Sequence, residues 1–249
     1  MLKLAGLFFV TAILYAAVGF GGGSTYNAFL VIAGTDFTIL PAIALICNII
    51  VVTGGTLRFH QKGLIPWKTV WPLFALSVPM AWIGGRMAIS EAVFVLVLGL
   101  ALIVAALLMI YHARLGPEVT EEKPLIVTIP AIGSGIGLLS GLVGIGGGIF
   151  LAPVLHLTRW GRAKVIAGVC SAFILVNSIA GLMGQMMKLD DASRLDSVVS
   201  YWPLFLAVLI GGQIGSRAGS GKLDPQIIRL LTAILILIVG GRLLFRSFA

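Results

Sequence analysis

An all-α, polytopic membrane bundle made of two homologous four-segment halves is the fold this sequence predicts, and three observations carry the expectation. Of 249 residues, 59% are hydrophobic and 10% charged, with a mean hydropathy of +1.11. That leaves too little charge to clothe a soluble globule of this size, so lipid must solvate much of the surface. Apolar runs long enough to cross a hydrocarbon core, about 17–25 residues, recur along the whole chain. Motifs of the first half return in the same order in the second.

The apolar segments lie over 2–34, 38–57, 67–86, 91–111, 125–158, 163–187, 199–216 and 225–245. Between them come RFHQKG at Arg58–Gly63, the polar stretch His112–Lys123 with its three glutamates, TRWGRAK at Thr158–Lys164, and KLDDASRLD at Lys188–Asp196. The first segment, with Lys3 ahead of an apolar run to Val18, looks like a secretory signal. Its counterpart later in the chain argues against cleavage.

The repeat is carried by four ordered matches. VGFGGG at Val18–Gly23 returns as VGIGGG at Val143–Gly148, and Ala44–Cys47 (ALIC) is echoed by Ala167–Cys170 (AGVC). WPLF at Trp71–Phe74 returns at Trp202–Phe205, and each copy leads at identical spacing to an arginine, Arg86 or Arg217. Duplication therefore divides the chain into a first transmembrane repeat over 1–115, a linker over 116–124 and a second repeat over 125–249.

Segments 2–34 and 125–158 are each about 33 residues long, too long for one ordinary crossing and too short for two. Each carries a glycine cluster near its middle, where the helix can break and turn back. A re-entrant hairpin crosses nothing, which leaves three crossings per half and requires the halves to insert as inverted repeats. The charges agree: inversion puts Arg58, Lys62 and Lys68 on the same side as Arg159, Arg162 and Lys164, the cytoplasmic side by the positive-inside tendency. Eight plain crossings would put the Arg159–Lys164 loop outside, against that tendency, although Arg242 and Arg246 would then fall inside.

Broken helices survive in hydrocarbon only where protein or a cavity satisfies their backbone, so the glycine breaks mark the candidate site. Each break leads into an apolar run, STYNAFLVI from Ser24 or IFLAPVL from Ile149. Free N–H groups and the positive end of a helix dipole are expected there. Two such ends facing each other would cradle an anion on Gly21, Gly22, Gly23, Gly146, Gly147 and Gly148. The competing reading is that these glycines only permit close helix packing.

Polar residues in the second segment of each half, among them Asn48, Ser171, Asn177 and Ser178, either contact the substrate or bond neighbouring helices. Ser24, Thr25 and Asn27 are expected as caps or site donors, with capping the better role for Ser24. Arg86 and Arg217 either snorkel to a headgroup or attract the anion.

Several classes are disfavoured. Cys47 and Cys170 sit singly in apolar runs and form neither a disulfide framework nor a metal motif. The net charge of +8 is spread over short loops, so nucleic-acid binding is not expected. GIGGG lacks the soluble βαβ context of a dinucleotide site, and GLLSG at Gly137–Gly141 is not a hydrolase elbow. No enzyme activity, cofactor or metal is therefore predicted. No carboxylate lies mid-segment to relay protons, and no Walker motif is present. The partners expected are the lipid bilayer and a small anionic substrate; homodimerisation is left open.

With these motifs in hand, the chain resembles the TauE/SafE sulfite exporter family over nearly its whole length. GLVGIGGGIFLAPVL at Gly141–Leu155 is similar to that family's second-half signature, and AGVCSAFILVNSIAG at Ala167–Gly181 to its following helix. The first-half GFGGGSTYNAFLV departs from the family pattern after the glycines, where a proline such as Pro153 is expected. The resemblance implies a multi-pass transporter of a bacterial inner membrane that exports sulfite, sulfoacetate or another organosulfonate. An anion channel, or a carrier for another small organic anion, is the alternative.

Overall fold

The computed structural model describes residues 1–113, 128–188 and 192–218, together with Leu237 and Gly241. The expected linker and the segment over 225–245 lie outside these residues, apart from those last two positions. The regular structure among the described residues is all helical, with no strand. The first half forms α1 (Leu2–Ala17), α2 (Gly23–Ile32), α3 (Leu40–Gln61), α4 (Trp67–Arg86) and α5 (Glu91–Ala113). The second forms α6 (Thr128–Val143), α7 (Gly148–Leu157), α8 (Ala163–Lys188), α9 (Ala192–Val199) and α10 (Trp202–Ala218).

Both long segments are broken where the glycines fall. Segment 2–34 becomes α1 and α2, and segment 125–158 becomes α6 and α7, with short helices of 10 residues after each break. The first break is a hairpin. Phe8, early in α1, stacks on Tyr26 of α2 with ring centroids 4.5 Å apart. A straight helix rising 1.5 Å per residue would hold these residues about 27 Å apart. α9 is the one element not anticipated: it stands in the polar stretch before α10, buries Val198 and leaves Arg194, Leu195 and Asp196 exposed.

α3, α8 and residues Glu91–Leu108 of α5 are long and apolar enough to cross a membrane. Large apolar side chains also line the outside of the bundle, among them Leu7, Val10, Leu57, Leu107, Leu206 and Ile210. Water would make these costly, whereas lipid solvates them.

The halves are not separate bodies, because α4 of the first packs against α6 and α8, and α10 of the second against α1 and α3. Along α4 and α6, Leu73 meets Gly133, Ser77 meets Gly137 and Ala81 meets Gly141, so the two run parallel. α8 joins in the same direction, with Asn177 on Ser77 and Gly181 on Ala81. The other triad is α1, α3 and α10: Gly211 lies on Phe9, Gly215 on Ile13 and Gly212 on Val51, again all parallel. Where the triads meet, Leu45 of α3 faces Gly181 of α8, Thr56 faces Ser171 and Phe59 faces Gly168. Numbers rise along one helix as they fall along the other, so the triads run in opposite directions.

Lipid tails give helices no hydrophobic reason to associate, so close van der Waals contact must hold these seams. Gly141 shows how close they are. A β-carbon there would lie 2.7 Å from the carbonyl carbon of Ala81 and 2.8 Å from the amide nitrogen of Gly85, both immovable backbone.

Candidate functional site

Each glycine break delivers a helix start without a side-chain cap. Gly22 precedes α2 with φ +91° and Gly147 precedes α7 with φ +78°, a left-handed backbone that glycine adopts without strain. Ser24 therefore does not cap α2. It falls inside the first turn, since three glycines in a row let the chain tighten before the serine is reached. Neither start has a side chain to satisfy its first N–H groups, which stay available at the positive end of the helix dipole.

The two breaks touch. Asn27 of α2 donates its side-chain amide to the carbonyl oxygen of Val143, the last residue of α6, at 2.6 Å. Gly23 stands against the carbonyl oxygen of Gly144, 2.8 Å from where a β-carbon would be.

Asn48 of α3 lies between them. Its side chain is the nearest neighbour of the space beside Gly21, Gly23 and Gly146, with its amide nitrogen 2.7 Å from a β-carbon position on Gly146. Asn48 is fully buried, yet neither its amide oxygen nor its nitrogen has a hydrogen-bond partner. Such an orphan costs about 1–3 kcal/mol per group. More unpartnered groups surround it: Ser178 Oγ beside Gly146, and the Tyr26 hydroxyl over Gly22, while Ser140 lies against Gly147 with its own Oγ unpartnered. Behind them the hydroxyl of Tyr15 is paired with Thr25 Oγ1 at 2.7 Å.

Gly21, Gly22, Gly23, Ser24, Asn48, Gly146, Gly147 and Gly148 are thus brought together, all buried. Two further expected residues lie on α8 with partners of their own. Ser171 pairs with Thr56 at 2.9 Å, and Asn177 donates to Ser77 at 3.1 Å and to the Phe173 carbonyl at 2.8 Å. The arginines stand elsewhere. Arg86 is exposed at the end of α4, its guanidinium 4.7 Å above the Trp82 ring, and Arg217 is exposed at the end of α10. Because α4 and α10 belong to oppositely directed triads, the two arginines lie at opposite ends of the molecule. Their identical spacing from WPLF along the chain does not bring the two side chains to one place.

Ser140 was legible only in hindsight. The glycine match sets it against Tyr15, so a polar residue precedes each break at the same distance. The cluster itself offers amide and hydroxyl donors and two helix starts, with no charged side chain among its members. Each helix start carries roughly half a positive charge, so two together suit about one negative charge.

Intertwined apolar helices, two broken segments and a buried donor cluster where the breaks meet define a multi-pass membrane transporter. The chain belongs to the sulfite exporter TauE/SafE family, whose profile matches residues 4–243. A probable membrane transporter protein of Sinorhizobium fredii is 34% identical over 97% of both chains. A probable membrane transporter protein of Haemophilus influenzae is 24% identical over 96% of this chain and 93% of its own. One of Methanocaldococcus jannaschii is 22% identical over 93% and 91% respectively. No solved structure gives a significant match.

Proposed function

We propose that this transporter exports a small sulfur-containing anion, such as sulfite, sulfoacetate or another organosulfonate, through the closed site between its glycine breaks. The observation that carries the reading is Asn48, buried without a partner against both breaks. An anion's oxygens would accept from its amide nitrogen, from the serine hydroxyls and from the uncapped N–H groups. The preference for sulfur rests on membership of the family; negative charge rests on the donors.

Insertion as inverted repeats fits the opposed triads. α1, α3 and α10 run one way and α4, α6 and α8 the other, so α1, α3 and α4 oppose α6, α8 and α10 respectively. The basic loops fit as well: Gly168, near the start of α8, packs on Phe59 and Leu64, which puts Arg58–Lys62 and Arg159–Lys164 at one end. By the charge tendency that end faces the cytoplasm of a bacterial inner membrane.

Alternating access then amounts to rocking one triad against the other about α3 and α8, the helices on which they meet. An anion leaving a negative interior gains about 2.3 kcal/mol per charge per 100 mV, so export needs no coupling ion. The test is flux of sulfite and sulfoacetate from proteoliposomes, with taurine and acetate as comparisons. Saturable flux with counterflow supports a carrier. Ohmic currents far above carrier turnover would make it a channel, and absence of flux for every anion would sink the reading.

A further inference from the structure

Arg58 is a charged side chain on a spanning helix that the central site does not use. It lies in the last turns of α3 and is only half-buried. One terminal nitrogen donates to Gln213 Oε1 at 2.8 Å and the other to Ser216 Oγ, both on α10. These partners are neutral. Among the described residues no carboxylate pairs with it: Asp36, Glu91 and Asp196 belong to the opposite end, where Tyr201 just after α9 bonds Thr35 and Phe94 of α5 packs on Phe37.

Packing alone does not require this arrangement. The match of Ala44 with Ala167 sets Arg58 against Gly181, and the match of Trp71 with Trp202 sets Ser216 against Gly85. Gly85 and Gly181 do meet in the other triad, where two glycines close the same node by backbone contact. One triad therefore closes its node by backbone contact alone, and the other fills it with a guanidinium and two hydrogen-bonding side chains.

We infer that the guanidinium of Arg58 is a second oxyanion site, occupied by Gln213 and Ser216 until an anion displaces them, at the end of the molecule that carries the basic loops. The two terminal guanidinium nitrogens are the fork that grips two oxygens of a carboxylate or sulfonate. In this structure two neutral oxygens from α10 occupy that fork. An arriving sulfonate displaces them, because a charge-assisted pair is roughly twice as strong as a neutral one. Exposed Lys62, Lys68, Arg159, Arg162 and Lys164 at the same end raise the local anion concentration. Displacement also frees α10 from α3, so occupancy of this site loosens the seam on the side from which the anion enters.

The inference rests on the anion-transport reading and has a readout that does not. Calorimetric titration of purified protein with sulfoacetate should give two binding events in the wild type and one in Arg58→Gln. In oriented proteoliposomes, Arg58→Gln should raise the KM at the face bearing the Arg58–Lys62 loop at least tenfold and leave the opposite face within about twofold. Gln213→Leu removes a competitor and should lower that same KM about threefold. Opposite signs for the two variants are the signature. If Arg58 is only a clamp between α3 and α10, both variants will lower the melting temperature and neither will move KM at one face alone, which overturns the site. Wild-type binding of two equivalents without flux would overturn the transport reading and spare this one, whereas wild-type flux with an unmoved KM in Arg58→Gln would do the reverse.

Discussion

The side-chain amide of Asn27 reaches the carbonyl oxygen of Val143 at 2.6 Å, so the helix after the first glycine break is tied to the helix before the second. One residue of each half meets at the point where both backbones are interrupted. Interhelical hydrogen bonds inside membranes average only about 0.6 kcal/mol, so this contact matters more for registering the two breaks than for stability. Asn27→Ala should lower the thermal midpoint by a few degrees at most and reduce flux about tenfold or more. A large stability loss with flux in proportion would assign Asn27 a packing role only.

Asn48 should be the most sensitive polar position. Asn48→Asp puts a carboxyl group where the anion is to sit, and a charge at that depth costs about 2.5–3.5 kcal/mol. Transport should fall below detection while the protein still inserts and purifies, whereas Asn48→Ser, which keeps a donor, should retain part of the flux with a raised KM. Equal flux in wild type and Asn48→Asp would remove the central site.

Glycine substitutions should separate the seams from the open positions. Gly141→Ala drives a β-carbon into the backbone of Ala81 and Gly85 and should cost about 1–3 kcal/mol or more, seen as loss of folded yield. Gly6 has nothing within 4 Å of a β-carbon, so Gly6→Ala should leave yield and melting unchanged. Comparable losses at both positions would mean the α4–α6 seam is looser than drawn.

Gly147→Ala tests the break itself. Its φ of +78° costs an L-residue about 1–2 kcal/mol, and the new methyl would meet Ile136 and Phe173 at 2.8 Å. The start of α7 should shift and anion affinity should fall by about tenfold or more, with helical content by circular dichroism preserved.

Arg86→Gln should change flux less than about twofold, because its guanidinium is exposed and lies over Trp82, a contact that contributes only about 0.5–1 kcal/mol. A loss of transport with normal insertion would instead place Arg86 on the anion's route.

Much of the helical architecture was legible because lipid solvation and recurring motifs leave large, redundant marks. Hydropathy locates the segments, and VGFGGG with VGIGGG locates both breaks, since three consecutive glycines inside an apolar run leave a helix little alternative to interruption. α9 was not legible, because a short segment with Arg194, Asp196 and few large apolar residues reads as loop by composition. Ser24 is not the cap that its residue type suggests, because Gly22 takes the left-handed turn itself and the helix starts before the serine.

By itself the sequence determined the membrane class and the position of each break, properties that depend on local composition and spacing. Only the tertiary structure decided which residues share a site. Asn48 meets Gly21 and Gly146, and Arg58 meets Gln213, across separations of up to about 155 residues that no periodicity encodes. It also parted Arg86 and Arg217, whose equal spacing suggested a shared role. Oppositely directed triads carry equivalent helix ends to opposite ends of the molecule, so a repeat seen along the chain is not a pair in space.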